Sequence, residues 1–182
     1  MNKKNKVDDY IEKEFLDKDG YYTIIINLYE GFSLFNELSV GRQLEINSEI
    51  FDYIDIKSEV IPSSYKLKVK FIGRKLEDED KEKIKFLIKE HYYVIKEKVK
   101  RDIIKLTKKM YLLLMIGVVF LALYVLVISK LSYDSLFLEL FSIIGTFSIW
   151  ESFGLYIFDR KDLYEDYYNC LQNFKLNIEF EE

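Results

Sequence analysis

The chain of 182 residues has one cysteine, one proline and one histidine, and its formal net charge is −4. The single cysteine, Cys170, excludes an internal disulfide, which fits a reducing compartment. The negative charge argues against a general attraction to nucleic acid, so we expect no nucleic-acid partner. The charged N-terminal segment lacks an apolar run of signal-peptide length, so we expect no cleavable targeting segment.

Motifs typical of enzymes are also absent from the sequence. It has no Gly-rich phosphate-binding loop, no paired-cysteine metal site and no Gly-x-Ser-x-Gly turn. The lone His91 falls on the apolar stripe of a predicted helix, which favours a packing or surface role over chemistry. Cys170 lies in a helical pattern, YYNCLQNF, which favours a small core or interface residue over a nucleophile. We therefore expect no enzymatic activity, no cofactor and no bound metal.

Charge is nearly missing between residues 110 and 158, where the chain has two long apolar runs. The first, Tyr111–Ser129, has the length that a bilayer core of about 30 Å requires at about 1.5 Å per residue. The second, Leu136–Phe158, is less apolar but long enough for a slightly tilted crossing. The short linker KLSYDS joins them, which predicts a tight antiparallel transmembrane hairpin. A buried helix of a soluble protein is the alternative for the first run.

The distribution of basic residues indicates the orientation of this hairpin. Seven basic residues lie within the seventeen residues before the first run, and only Lys130 lies in the linker. Positive residues stay on the cytoplasmic side, so we expect a multi-pass protein of the cell membrane with both termini in the cytoplasm. The candidate contacts with lipid headgroups are Lys105, Lys108, Lys109, Arg160 and Lys161.

A carboxylate inside the second run, Glu151, adjoins the only tryptophan, Trp150. An ionised side chain at mid-bilayer costs about 3 kcal/mol on insertion scales, so it normally faces a helix interface or water. Trp150 lies deeper than an interfacial residue, which suggests that it packs against protein. A strip of small residues that allows close helix approach adjoins Glu151 in projection: Ser142, Gly145, Ser148 and Ser152.

Three interpretations of Glu151 stay open. A protonated Glu151 could form a hydrogen bond within an oligomer, and an ionised Glu151 could line a wet cavity. Alternatively, the side chain snorkels to the cytoplasmic interface, because only seven residues separate it from Phe158. The first two interpretations make Glu151 and Trp150, with the small strip, candidates for a membrane function.

The segment before the apolar runs predicts a small α/β domain. Two strands joined by a helix would be parallel. Two strands alone are marginally stable in water, so we expect a missed strand within Glu30–Ile46 or a second copy of the chain to complete the sheet. The predicted elements are a helix at Val7–Asp17, a strand at Gly20–Tyr29, a helix at Glu49–Val60 capped by Ser48, and a strand at Tyr65–Gly73.

The second predicted strand alternates strictly between apolar and basic residues. One face carries Tyr65, Leu67, Val69 and Phe71, and the other carries Lys66, Lys68 and Lys70. We interpret the basic face as a candidate contact for anionic lipid headgroups or for an anionic ligand. A solvated sheet face is the alternative.

A long helix is predicted from the acidic turn Glu77–Asp80, which suits the positive end of the helix dipole. Without Pro or Gly before the membrane, it is predicted to continue into the first span, as a rod of about fifty residues. Its apolar stripe consists of Ile84, Leu87, Ile88, His91, Ile95, Val99, Ile103 and Leu106.

The predicted fold class is α+β, with a small α/β cytosolic domain followed by a long helix that runs into a two-helix transmembrane hairpin. The predicted segments are the cytosolic domain at 1–76, a connecting helix at 77–110, the hairpin at 111–158 and a cytosolic C-terminal helix or tail at 159–182.

Two stretches, FSIWESFGLYIFDRKDLYEDYYN and FIG…HYYVI…K, together resemble an uncharacterised family of small bacterial and archaeal two-transmembrane-helix proteins with an N-terminal cytosolic α/β domain. In that family a Trp–Glu pair in the second span precedes a basic cluster, here Trp150, Glu151, Arg160 and Lys161. The resemblance extends from Tyr21 to Phe180. It implies a membrane location and the topology above, and it carries no catalytic residues.

These observations predict a non-enzymatic integral membrane protein whose cytosolic domain binds a partner or ligand and is coupled to an oligomeric two-span hairpin. A stress or defence effector acting on the membrane is one form of this function. The alternative is a small channel or transporter subunit that uses Glu151, and an enzyme with a cytosolic active site has the least support. The expected partners are membrane lipid, further copies of the chain and a cytosolic partner or ligand.

Overall fold

The computed structural model describes residues 15–63, 65–131 and 136–181. Helices and a small sheet of three parallel strands make up this part of the chain. A 3₁₀ turn at Gly41–Gln43 precedes the first helix, and a π-helical turn at Leu155–Asp159 follows the third. The other elements are β1 (Tyr22–Asn27), α1 (Ser48–Glu59), β2 (Leu67–Ile72), α2 (Asp78–Leu131), α3 (Leu136–Gly154), α4 (Arg160–Phe174) and β3 (Asn177–Phe180). Most of the predicted helix Val7–Asp17 and most of the KLSYDS linker lie outside the described residues.

The chain divides into two compact units. Met1–Lys96 and Tyr168–Glu182 form the first, which we call the α/β unit. Glu97–Tyr167 forms the second, which we call the hairpin unit. In sequence, the hairpin unit is an insertion between β2 and β3, so the chain leaves the sheet and later returns to it.

The sheet has the order β1-β2-β3, and both pairs of strands are parallel. The predicted parallel pairing of the first two strands is thus confirmed. Ile24, Val69 and Ile178 lie side by side across the three strands, and all three are buried, as β-branched residues of a sheet facing a core would be.

The third strand comes from neither of the sources that the sequence suggested. It is Asn177–Phe180, in the segment after α4. Within the described residues, the only β pairing of the segment Glu30–Ile46 is an isolated antiparallel bridge between Phe35 and Ile46. The expectation of a missed strand there, or of a sheet completed by a second copy, is therefore wrong.

Helix α1 covers one side of the core through Ile50 and Ile54, both fully buried. Its N-cap is Asn47 rather than the predicted Ser48, because the Asn47 side chain accepts a hydrogen bond of 3.1 Å from the backbone N–H of Glu49. Asn47 also donates a side-chain hydrogen bond to the carbonyl oxygen of Ser33, which ties the preceding loop to the start of the helix. Either residue type caps helices well, so only the geometry distinguishes them.

Helix α2 is one helix of 54 residues that begins at the acidic residues Asp78, Glu79 and Asp80. The predicted continuous helix from the acidic turn into the first apolar run is therefore confirmed. Ile84, Ile88 and Tyr92 are its fully buried side chains in the α/β unit, although the predicted stripe did not include Tyr92.

Two helical stretches, Asp78–Lys130 and Leu138–Phe174, are long and apolar enough to cross a membrane. Only 6% of the most apolar window of the first stretch is buried, and 22% of that of the second. The apolar side chains of the hairpin unit therefore point mostly away from the protein. This exposure separates them from the core helices of a soluble protein, which would be mostly buried.

Candidate functional site

The hairpin unit is held together by a close contact between α2 and α3. A β-carbon added to Gly117 of α2 would lie 2.8 Å from the carbonyl oxygen of Gly145 and 2.5 Å from Cγ1 of Ile149. Further along α2, the ring of Phe120 lies 5.6 Å from the ring of Phe141. Contact positions thus rise along α2 as they fall along α3, so the two helices run antiparallel.

The strip of small residues on α3 lies at this contact. Gly145, Ser148 and Ser152 are buried, and Ser142 is half-buried. The hydroxyl of Ser152 donates a hydrogen bond of 2.9 Å to the backbone carbonyl of Met110 in α2. Small side chains let helix backbones approach closely, and hydrogen bonds between helices strengthen such a contact. The strip therefore packs α3 against α2 of the same chain.

Trp150 and Glu151 lie between Ser148 and Ser152 in the sequence but have different surroundings. The side chain of Trp150 is 76% exposed, so it does not pack against its own chain, and its packing against a further copy stays a prediction. Glu151 is half-buried. In the described part of the chain, no ion pair or side-chain hydrogen bond involves its carboxylate. Glu151 thus lies beside the helix contact without contributing a hydrogen bond to it.

The basic residues near the ends of the apolar runs are mostly open to solvent. Lys108 and Lys109 are exposed. Lys105 and Lys161 each form an exposed ion pair with a carboxylate on the same helix, at 3.2 and 3.6 Å. Such pairs contribute about 0–1 kcal/mol, so they hold these lysines only weakly. The guanidinium of Arg160 instead lies over two tyrosine rings, at 5.1 and 5.2 Å from their centres.

The three lysines in and before β2 do not form one positive surface. The buried Lys68 ammonium lies 3.0 Å from the Asp17 carboxylate and 3.2 Å from that of Glu179. Lys70 is paired with a carboxylate of the C-terminal segment. Only Lys66 remains exposed, at the mouth of a cavity. The predicted basic face is divided because β3 and its flanking residues bring carboxylates beside β2.

The ion pair of Lys68 and Asp17 contributes to the folded structure rather than to ligand binding. The backbone N–H of Tyr21 donates a hydrogen bond to Asp17, and together with Lys68 it lowers the pKa of Asp17 to about 2. The hydrogen bond to Asp17 in turn raises the pKa of Lys68 above its usual range. Both groups therefore stay charged at physiological pH and satisfy each other, which leaves Lys68 little capacity for a ligand.

A cavity of about 670 Å³ opens in the α/β unit at the amino ends of the three strands. We call it the basic cavity, because Lys66, Lys89 and Lys175 line it. These lysines come from the start of β2, from α2 and from the residue after α4. Other lining side chains include Tyr21, Tyr65, Tyr168, Gln172 and Asn177.

A second cavity, of about 880 Å³, lies between the loop over residues 36–46 and α2. His91 lines this cavity, and its ring stacks on Phe51 of α1 with 3.7 Å between the ring centres. Burial lowers the pKa of His91, which favours the neutral imidazole. His91 therefore has the packing role that its position on the apolar stripe indicates.

A buried polar cluster that the sequence did not reveal joins α4 to α1 and α2. The hydroxyl of Tyr92 donates a hydrogen bond of 2.9 Å to Oδ1 of Asp55. The side-chain amide of Asn173 donates to the same oxygen and to Oγ of Ser58, both at 3.1 Å. Burial raises the pKa of Asp55 and that of Tyr92. No local signal distinguishes the buried Asn173 from a surface residue of an amphipathic helix.

The neighbouring Gln172 is buried as well and connects α4 to the start of β2. Its side-chain amide donates hydrogen bonds of 2.9 Å to the backbone carbonyls of Pro62 and Tyr65. These bonds hold the end of α4 beside the basic cavity. Across residues 15–63, 65–131 and 136–181, no group of three or more His, Cys, Asp or Glu side chains is arranged to hold a metal ion.

No family model matches the chain, and no curated protein and no solved structure matches it either. The resemblance to the two-span family therefore stays a prediction.

Proposed function

We propose that the protein is a non-enzymatic integral membrane protein whose hairpin unit crosses the bilayer twice and whose α/β unit binds a ligand or partner in the cytoplasm. The observation that carries this proposal is the exposed apolar surface of the hairpin unit, of which Phe147, Trp150 and Met115 are examples. Soluble monomers rarely expose contiguous apolar patches of more than a few hundred Å². A lipid bilayer would cover this surface.

The path of the chain supports an even number of crossings. β2 and β3 pair in one sheet, and the hairpin unit lies between them in the sequence. The segments before and after the hairpin must therefore lie on the same side of a membrane. Two apolar stretches satisfy this condition. The excess of lysine and arginine before the first stretch supports a cytoplasmic location for that side.

The binding role rests on the two cavities of the α/β unit, since concave sites of several hundred Å³ are typical of small-ligand sites. Helix α2 belongs to both units and has no break along its length. It is the physical connection through which binding would be coupled to the hairpin. The exposed face of α3 around Trp150 is open to lipid or to a further copy of the chain in an oligomer. A stress or defence effector acting on the membrane is one form of this function.

Reporter fusions and alkaline extraction test the membrane topology. Fusions after residue 182 and before residue 1 should both report the cytoplasm, whereas a reporter inserted at Tyr133 should report the outside. The protein should stay in the membrane pellet during alkaline carbonate extraction. As a control, deletion of residues 136–154 removes one crossing and should move the C-terminal reporter to the outside. Release by carbonate, or termini on opposite sides in the unmutated chain, would contradict the proposal.

A channel or transporter subunit that uses Glu151 is a second candidate, favoured by the half-buried carboxylate beside the helix contact. Glu151→Gln keeps the shape of the side chain but removes its charge, and should abolish ion flux into liposomes while leaving assembly intact. Glu139→Gln is the matched control, because Glu139 is an exposed carboxylate near the other end of α3. Absence of flux in the unmutated protein, or flux in Glu151→Gln equal to that of the unmutated protein, would exclude this candidate.

A further inference from the structure

The lysines of the basic cavity differ in charge pairing from those of β2 and of the first turns of α2. Lys68, Lys70 and Lys83 each have a carboxylate within 4 Å. No such pair is found for Lys66, Lys89 or Lys175 among the described residues. The three unpaired lysines line the same cavity. The cavity therefore concentrates positive charge that this part of the chain does not neutralise.

The acidic residues on and beside the sheet pair with a lysine that lies outside the basic cavity. Asp17 and Glu179 point to the ammonium of Lys68, at 3.0 and 3.2 Å. Neither carboxylate lines the basic cavity, and neither does any other acidic side chain of the described residues. Like charges in a shared cleft repel each other, and a bound anion relieves that repulsion. The lining thus selects for negative charge.

The remaining lining suits a small molecule with phosphate groups. Lysine ammonium groups bind phosphate as point charges from several directions, and here they come from three separate elements. Tyr65 and Tyr168 also line the cavity, and each is about half exposed. The volume of about 670 Å³ lies within the range of small-ligand pockets.

The lysines of the basic cavity come from segments that precede and follow the hairpin unit in the sequence. Lys66 precedes β2, and Lys175 and Asn177 lie between α4 and β3. Lys89 belongs to α2, the helix that continues into the hairpin unit. A ligand held by all three lysines would therefore contact both chain segments that lead to the hairpin unit, one before it and one after it.

We propose that the basic cavity binds a small phosphate-bearing anion through Lys66, Lys89 and Lys175. This inference deepens the proposed function, because it names the ligand class of the cytoplasmic unit. The phosphate is carried by a free metabolite or by a lipid headgroup, and the two sources share the same chemistry at the lysines.

Isothermal titration of the full-length protein in dodecyl maltoside micelles tests the free source, with inorganic pyrophosphate and ATP as probes. We expect at least one probe to bind, with an affinity that falls at high salt. The variant Lys66→Gln/Lys175→Gln should weaken binding at least tenfold. The control variant Lys18→Gln/Arg74→Gln loses the same charge from exposed positions outside the cavity and should bind as the unmutated chain does.

Lysine acetylation of the protein in nanodiscs, read by mass spectrometry, tests the lipid source. Phosphatidic acid should protect Lys66, Lys89 and Lys175, relative to nanodiscs of phosphatidylcholine alone, and should leave Lys18 reactive. Protection without pyrophosphate or ATP binding assigns the phosphate to a lipid headgroup. Lys89→Gln, a single change on α2, repeats either test if the double variant fails to fold.

The proposal is overturned if neither probe binds and phosphatidic acid protects none of the three lysines. It is also overturned if the control variant weakens binding as much as the cavity variant, because the effect would then reflect net charge alone. Titration in micelles does not depend on the number of membrane crossings. A failure here is therefore distinguishable from a failure of the topology proposed above.

Discussion

The two units place their apolar residues in opposite ways. In the α/β unit, Ile54, Val69 and Ile84 are 0% exposed, whereas Phe147 and Trp150 of the hairpin unit are more than half exposed. The hairpin unit instead buries small residues at the contact of its helices. The α/β unit is stabilised by removal of apolar surface from water. The hairpin unit packs through a close helix contact, and the bilayer of the proposed function would cover its outer face. One rule of core formation therefore does not describe the whole chain.

The only tryptophan and the only cysteine lie in different units, so they report on the units separately. Trp150 belongs to α3 of the hairpin unit. Cys170 is half-buried in α4, within the α/β unit. Urea unfolding of the full-length protein in micelles can thus be followed by tryptophan emission for one unit and by pulse labelling of Cys170 for the other.

The largest effect is expected in the core of the α/β unit. Ile54→Ala leaves a cavity in a fully buried site and should lower the free energy of unfolding by about 2–5 kcal/mol. The labelling transition of Cys170 measures this change. The matched control is Ile56→Ala on the same helix, where the side chain is 66% exposed and the expected change is within about 0.5 kcal/mol.

The tryptophan transition decides whether the units are independent in this experiment. In the Ile54→Ala variant, the emission change of Trp150 should occur at the same urea concentration as in the unmutated protein. An equal shift of both transitions would show that the units unfold together, which would contradict the contrast between them. An equal effect of Ile54→Ala and Ile56→Ala would contradict the assignment of the core.

The next largest effect is expected at the helix contact of the hairpin unit. Gly117→Ala forces a β-carbon against the backbone of Gly145, and overpacking of this kind costs about 1–3 kcal/mol. Gly154→Ala is the control, because a β-carbon at residue 154 meets no atom within 4 Å. The Trp150 transition should move for the first variant alone, and the Cys170 transition for neither. Equal behaviour of the two alanine variants would show that α2 and α3 do not pack as described.

Periodicity within a single stretch of sequence correctly predicts some of the strands and helices. The strict alternation around Val69 predicted β2, and the unbroken helical pattern after Asp78 predicted the continuity of α2. β3 was missed because Asn177–Phe180 is only four residues long and its partner β2 lies on the other side of the hairpin unit in the sequence. Pairing between such distant segments leaves no periodic signal in either of them.

The candidate site also has one part that the sequence predicts and one part that it does not. The spacing of Gly145, Ser148 and Ser152 identified the face of α3 that packs, because helical periodicity alone determines which residues share a face. The sequence does not predict the basic cavity, because Lys89 and Lys175 come close to Lys66 only after β3 joins the sheet. The alternating pattern places Lys66, Lys68 and Lys70 on one face of the predicted strand. The carboxylates that neutralise Lys68 and Lys70 come from other segments of the chain.

A smaller effect is expected from the hydrogen bond between the helices of the hairpin unit. Ser152→Ala removes the bond to the carbonyl of Met110 and should destabilise the Trp150 transition by about 0.6 kcal/mol, the average for such bonds in membrane proteins. Ser129→Ala is the control, because the hydroxyl of Ser129 is exposed and bonds only within its own helix. A change for Ser129→Ala as large as that for Ser152→Ala would contradict a specific contribution from the contact.

The smallest effect is a pH dependence confined to the α/β unit. Burial lowers the pKa of His91 below its usual 6.5, so the unfolded state binds this proton more readily than the folded state. The free energy of unfolding should therefore fall as the pH drops through 6.5, and the full stability should be present above that pH. The Trp150 transition should not share this dependence.

His91→Phe isolates the contribution of this proton. Phenylalanine keeps a ring stacked on Phe51 but cannot be protonated, so its stability relative to the unmutated chain should rise as the pH falls from 7.5 to 5.5. Asp55 acts in the opposite direction, because burial raises its pKa and its protonation at lower pH favours the folded state. The charge of His91 lowers the pKa of Asp55, so the comparison of the two chains cancels only the part of the Asp55 contribution that does not depend on His91. Cys170 labelling pulses at one common pH provide the measurement. Parallel pH profiles of the two chains would show that folding does not lower the pKa of His91.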